Sequence, residues 1–234
     1  MRAALSAFTE RLVSSPLGKQ VMKIVLFGSH AKGTARQYSD LDVLIVANNG
    51  QELSDLIADL AFEIQMEYQV GLEPITISLD DLFPVRSYFV FNALRHGREV
   101  YAVAHEEPKK EERKNLIALT EEYLTAAEHA AASGYWRLAV DAAYNAAELA
   151  LKPLILKRGD DFPGPHGGLV SRFGELYVKP GISEKTLGPK LNQAPEKRNQ
   201  ARYKYQAIIN QDDARTVIEL AWKLKELAEK ELSD

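Results

Sequence analysis

The 234-residue sequence predicts a mixed α/β domain with a small sheet over residues 1–105 and an all-α helical bundle over residues 106–234. Three observations predict this. Short Val- and Ile-rich runs bounded by turn residues alternate with helical spacings through the first hundred residues, the mark of a mixed sheet covered by helices. Beyond Glu106 the strand signal stops, and apolar residues recur every three or four positions instead. Between the two lies EEPKKEER, Glu106–Arg113, which is charged, contains Pro108 and reads as a linker or a helix start.

Taken in order, Ala3–Val13 reads as an amphipathic helix ended by Pro16 and Gly18. Its acidic residue and short apolar runs set it apart from a signal peptide. Val21–Phe27 and Leu41–Ala47 read as strands. Asn48-Asn49-Gly50 makes a turn into Gln51–Tyr68, where Leu53, Leu56, Ile57, Leu60 and Ile64 fall at helical spacing. Pro74–Ser78 is a third strand, Leu82–His96 a helix interrupted at Pro84, and Glu99–Val103 a last edge strand. In the second half Asn115–Ala132 and the Ala-rich Tyr135–Lys157 read as helices. The latter carries Val140, Tyr144, Ala147, Leu151 and Leu154 as one apolar seam. Gly159–Gly168 reads as a loop, with His166 a loop residue. Leu169–Val178, Ser183–Tyr205 and Asp212–Leu232 supply further helices. Leu187–Pro195 is expected to be irregular, because it holds Gly188, Pro189 and Pro195. The short connections suggest a bundle.

Composition narrows the function. The chain is 46% hydrophobic and 26% charged, with a net charge of −4. Residues 1–105 carry 9 Lys and Arg against 12 Asp and Glu, and residues 106–234 carry 20 against 21. Neither half shows the basic footprint of a general nucleic-acid binder. The lack of cysteine removes disulfides, Cys-ligated zinc and thiol catalysis, and fits a cytoplasmic protein. No apolar run reaches the roughly 18 residues of a membrane span.

The chemistry concentrates in LFGSHAKGTARQYSDLDVLIV, Leu26–Val46. Asp40 and Asp42, at i and i+2 on a strand, point to the same face. Side by side they repel, and a hard divalent cation such as Mg²⁺ relieves the repulsion through oxygen ligands. Gly28 lets the backbone approach a phosphate closely. The amides and hydroxyl around Ser29 can bind phosphate oxygens, and Lys32 and Arg36 are cations nearby. Such a constellation fits phosphoryl or nucleotidyl transfer, where positioning and charge stabilisation do most of the catalysis.

Gly28-Ser29, Gly33 and Ser39-Asp40-Leu41-Asp42 with its apolar tail resemble the signature of the nucleotidyltransferase superfamily, in the minimal prokaryotic variant of the DNA polymerase beta-like group. The resemblance covers roughly Val21 to Tyr101. It implies that Asp40 and Asp42 bind Mg²⁺ and that Gly28, Ser29, Lys32 and Ser39 hold the triphosphate of ATP or another NTP. It also implies a third carboxylate on a later strand. On Glu73–Ser78 the expected position is Ile75, and Glu73 shares its face one pleat earlier. Either Glu73 completes the acid set, or it is a solvent-facing strand-start residue and the third acid is missing.

The second half contains EKRNQARYKY, Glu196–Tyr205. With the helical pattern around it, this stretch resembles HEPN domains, bundles often encoded beside or fused to minimal nucleotidyltransferases. The resemblance covers roughly residues 111–231 and rests on Arg198, Asn199, Tyr203 and Tyr205. The family's histidine is replaced here by Tyr203. Histidine titrates near neutrality and a tyrosine near pH 10 does not, so the substitution argues against RNA cleavage. On a continuous helix Tyr205 lies nearly two turns from Arg198, over the same face. The resemblance to toxin–antitoxin pairs implies that this tyrosine receives AMP from the nucleotidyltransferase; the plainer reading is that Tyr203 and Tyr205 pack against or cap the bundle.

These expectations combine into one function. It is Mg²⁺-dependent transfer of a nucleoside monophosphate, AMP foremost, to a hydroxyl of a protein, such as a tyrosine, or of a small molecule. The small-molecule option follows the aminoglycoside-modifying nucleotidyltransferases, which also join this fold to a helical domain. The alternative is a catalytically weakened nucleotide-binding regulatory module of toxin–antitoxin type. HEPN-like bundles often pair, which suggests a homodimer.

Overall fold

The computed structural model describes residues 1–36, 39–83, 85, 87–104, 106–159 and 167–233. The loop expected at Gly159–Gly168, with His166, lies largely outside the described residues. The chain divides into two compact units, Met1–Pro108 and Lys109–Asp234.

The first unit is built on a four-stranded mixed sheet, as its sequence predicts. Helix α1 (Arg2–Ser14) buries Ala4, Leu5, Phe8 and Leu12. It stops at Ser15, which precedes Pro16 and adopts extended backbone at ψ 163°, because the proline ring disfavours helical geometry in the residue before it. The strands are β1 (Val21–Leu26), β2 (Leu41–Ala47), β3 (Leu72–Ser78) and β4 (Arg98–Ala102). Their order is β3-β2-β1-β4, so the last strand is an edge strand. Strand β1 runs antiparallel to β2 and β4, while β2 and β3 are parallel. The parallel pair needs a crossover, which α3 (Gly50–Tyr68) supplies.

Strand alternation then sorts the core into two layers. Leu41, Val43, Ile45 and Ala47 face α1 and α3, with Phe8, Leu53, Ile57 and Ile64. Leu44 and Val46 face the other way, onto Ile77, Leu79, Val90 and Ala93. That second layer contains α4 (Leu79–Leu82) and α5 (Tyr88–His96). The single interrupted helix expected over Leu82–His96 is thus two separate helices. Phe83, the residue before a proline, turns extended at φ −125° and ψ 92° and ends α4, and Ser87 starts α5 by accepting from the Val90 amide.

The second unit is all helix: α6 (Glu106–Ala132), α7 (Trp136–Arg158), α8 (Gly167–Phe173) followed by a π-helical turn at Gly174–Val178, α9 (Leu187–Tyr203) and α10 (Gln211–Ser233). EEPKKEER is the first turns of α6, because Pro108 sits in the first turn, where its missing amide proton costs nothing. Helix α7 is the bundle's axis. Its alanines Ala139, Ala143, Ala146, Ala147 and Ala150 are buried and let neighbours approach closely. Against them pack Ala214, Val217, Leu220, Ala221 and Leu224 of α10. Leu187–Pro195, expected to be irregular, forms the first half of a continuous α9. Pro189 lies in its first turn, and burial of Leu187, Leu191 and Ala194 outweighs the single amide bond lost at Pro195. Conversely, α9 ends at Tyr203, short of the expected Tyr205, and Lys204 leaves the helix at ψ 95°. Among the described residues no helix is long and apolar enough to cross a membrane.

Candidate nucleotide site

The site lies at the head of β2. Asp42 is the second residue of the strand and Asp40 immediately precedes it. Asp42 shares a face with Leu44 and Val46, the face covered by α4 and α5. The Asp42 carbonyl accepts from the Phe27 amide at 2.9 Å, and the Leu41 amide donates to the Gly71 carbonyl at 2.8 Å. These bonds tie the pair to the ends of β1 and β3.

Two glycines make room for the carboxylates. Gly28 has φ 67°, and a Cβ there would overlap the carboxylate of Asp42. A Cβ at Gly71 would overlap the carboxylate of Asp40. Each aspartate therefore occupies the space that a side chain would fill. Gly28 was legible as a site residue from its motif. Gly71 was not, because its partner is 31 positions away and only the parallel register of β2 with β3 joins them. Neither carboxylate has a hydrogen-bond or ion-pair partner among the described residues. Two unneutralised carboxylates on one face, each closed on one side by glycine backbone, fit a hard divalent cation such as Mg²⁺.

The Gly-Ser turn opens the short helix α2 (Gly28–Lys32), which ends at Gly33 in the left-handed region, φ 71°. Ser29 is half-buried in its first turn and Lys32 exposed at its end. Ser39 organises the loop into Asp40. Its hydroxyl accepts from the Arg36 amide at 2.8 Å, and its carbonyl accepts from His30 Nε2 at 2.9 Å. His30 thereby pins the loop to α2.

Glu73 is register partner of Asp42, and Ile75 of Leu44, so Asp42, Glu73 and Ile75 share one face. Glu73 is exposed, as is Ile75 at 40%. The described residues contain no group of three or more Asp, Glu or His placed to hold one ion.

In the second unit, Arg198 is engaged within the bundle. Its Nε donates to Asp141 Oδ1 at 3.1 Å, and its guanidinium lies 4.9 Å from the centre of the Tyr144 ring. Asn199 is exposed on the same helix. Tyr203 is the last residue of α9, 67% exposed, and Tyr205 stands in the following turn, 88% exposed. The helical stacking of Tyr205 over Arg198 therefore does not occur, since α9 ends between them. The cause is Arg137 at the start of α7. Its guanidinium donates to the carbonyls of Gln200, Ala201, Lys204, Tyr205 and Ala207 and gathers the chain into a turn. Neither Arg137 nor Asp141 stood out in the sequence. Their spacing of four on one helix was the available signal.

Residues 9–107 match the nucleotidyltransferase domain family and residues 114–232 match the HEPN domain family. Two proteins of Methanocaldococcus jannaschii provisionally named as protein adenylyltransferases are similar to this chain. MJ0604 is 35% identical over 100 residues, 42% of this chain and 95% of that protein. MJ1305 is 35% identical over 69 residues, 28% of this chain and 47% of that protein, so the chain spans about half the length of this relative. A solved structure of spectinomycin adenyltransferase AAD(9) from Enterococcus faecialis, with ATP and spectinomycin, aligns over 96% of this chain and 99% of its own at 14% identity and a TM-score of 0.36, below the level of a common fold. The matches in sequence coincide with the Gly-Ser turn, the aspartate pair and the alanine-rich bundle just described, and on them the chain belongs to the nucleotidyltransferase family in its first hundred residues and to the HEPN family in its second half.

Proposed function

We propose that the chain transfers a nucleoside monophosphate, AMP foremost, from an NTP to a hydroxyl of a protein or small-molecule acceptor. The observation that carries this reading is the pair Asp40 and Asp42, unpartnered among the described residues and backed by Gly28 and Gly71. The names of the Methanocaldococcus relatives support AMP and a protein acceptor. Asp40 and Asp42 would hold Mg²⁺, which neutralises phosphate charge when bound. Gly28, lacking a Cβ, leaves room for the Asp42 carboxylate against the turn, and Ser29 and Lys32 offer a hydroxyl and a cation to the triphosphate. Ser39 holds the loop that aims Asp40. In the reaction the acceptor oxygen bonds the α-phosphorus, the bond to the β-phosphate bridging oxygen breaks, pyrophosphate leaves, and the acceptor proton passes to Glu73 or to water.

One observation favours a second reading. An exposed, apolar Ile75 stands where the family resemblance calls for an acid, and Glu73 is open to solvent. A chain lacking a base binds nucleotide and turns it over poorly, which suits a regulatory module of the toxin–antitoxin kind. Incubation with ATP labelled at the α- or the γ-phosphate, alone and with a bacterial extract, separates the two. Transfer of the α label with release of pyrophosphate supports the enzyme. Tight ATP binding with no transferred label supports the module. Transfer of the γ label contradicts both.

A further inference from the structure

Helix α5 leaves an aromatic ring beside the Gly-Ser turn. Phe27, immediately before Gly28, gives its amide to the Asp42 carbonyl and its ring to Phe89, edge to face, with centroids 5.3 Å apart and planes at 84°. Phe27 is partly buried in the layer beneath α5, whereas Phe89 is 42% exposed. The helix is seated by Val90 and Ala93 on the sheet face that carries Asp42. Phe89 thus keeps one ring contact, to Phe27, together with a large exposed surface, and an exposed aromatic ring can stack on a base.

We propose that Phe89 is the stacking platform for the nucleobase of the NTP. This rests on the reading of Gly28, Ser29 and the aspartate pair as the triphosphate site. The base is tethered to the triphosphate, and Phe89 is packed on the residue that enters the phosphate turn, so one ligand can span both. Every base presents a π-face, so a stacking platform tolerates different bases and leaves base choice loose.

The test compares two probes, ATP and inorganic tripolyphosphate, each with Mg²⁺, binding the full chain. Phe89→Ala is expected to weaken ATP binding about 5- to 140-fold, the range of aromatic–base stacking. It should leave tripolyphosphate binding unchanged, and Phe89→Trp should restore ATP affinity. Unchanged ATP affinity in Phe89→Ala overturns the proposal. So does equal weakening of both probes, which makes Phe89 a prop for the turn. A wild-type chain that binds neither probe overturns the triphosphate site itself.

Discussion

At the scale of single residues the candidate site depends on two absent side chains. A methyl group on Gly28 meets the Asp42 carboxylate and must adopt a positive φ, which costs roughly 1–2 kcal/mol. Gly28→Ala should therefore lower the melting temperature and reduce nucleotidyl transfer about 100-fold, the usual effect of misplacing a reacting group by an ångström. Gly71 has no positive φ, so Gly71→Ala separates the two effects. It should displace Asp40 and impair transfer at a smaller cost in stability. Gly181 supplies the control. It has φ 79°, and a methyl group there would meet nothing within 4 Å, so Gly181→Ala should cost stability and leave transfer intact. Paired melting curves and transfer rates for the three variants check the set.

At the scale of elements, helix ends carry the argument. Arg137 satisfies five carbonyls at the end of α9. Arg137→Ala should cost about 2 kcal/mol, since bonds to a charged donor are strong. Hydrogen exchange should quicken around residues 200–207 before it does elsewhere. At the start of α10, Asn210 and Asp213 exchange side-chain and backbone hydrogen bonds, and Lys197 lies 2.7 Å from Asp213. Burial pushes the Asp213 carboxyl up, but Lys197 and the Asn210 amide outweigh it and hold the carboxyl below its ordinary range. A lowered native pKa adds stability above the unfolded value, near 3.9, and that stability fades as pH falls through the native value. Asp213→Asn should thus lower the melting temperature by ~3 °C at pH 7, for a loss of about 1 kcal/mol, and by progressively less as the pH falls through the native value. A difference that does not shrink as the pH is lowered would remove the charge from the explanation.

At the scale of the whole molecule, the order of elements was legible because alternation and helical spacing are local signals. The strand at Leu41–Ala47 follows from its run of Val, Leu and Ile between turn residues, and the shared face of the aspartate pair from period two. What was not legible depends on distant partners. Two prolines read as a break in Leu187–Pro195, yet buried Leu187, Leu191 and Ala194 hold α9 together. Tyr205 read as helical, yet Arg137, 68 positions away, pulls it into a turn. Gly71 and Phe89 entered the proposed site only when β3 and α5 brought them to Asp40 and Phe27. The central claim is that Asp40 and Asp42 together form the seat of the nucleotide. Calorimetric titration of ATP with Mg²⁺ into the wild type, Asp40→Asn and Asp42→Asn tests it most directly. The wild type should bind, and each single substitution should abolish binding. Wild-type affinity in both variants would contradict the claim.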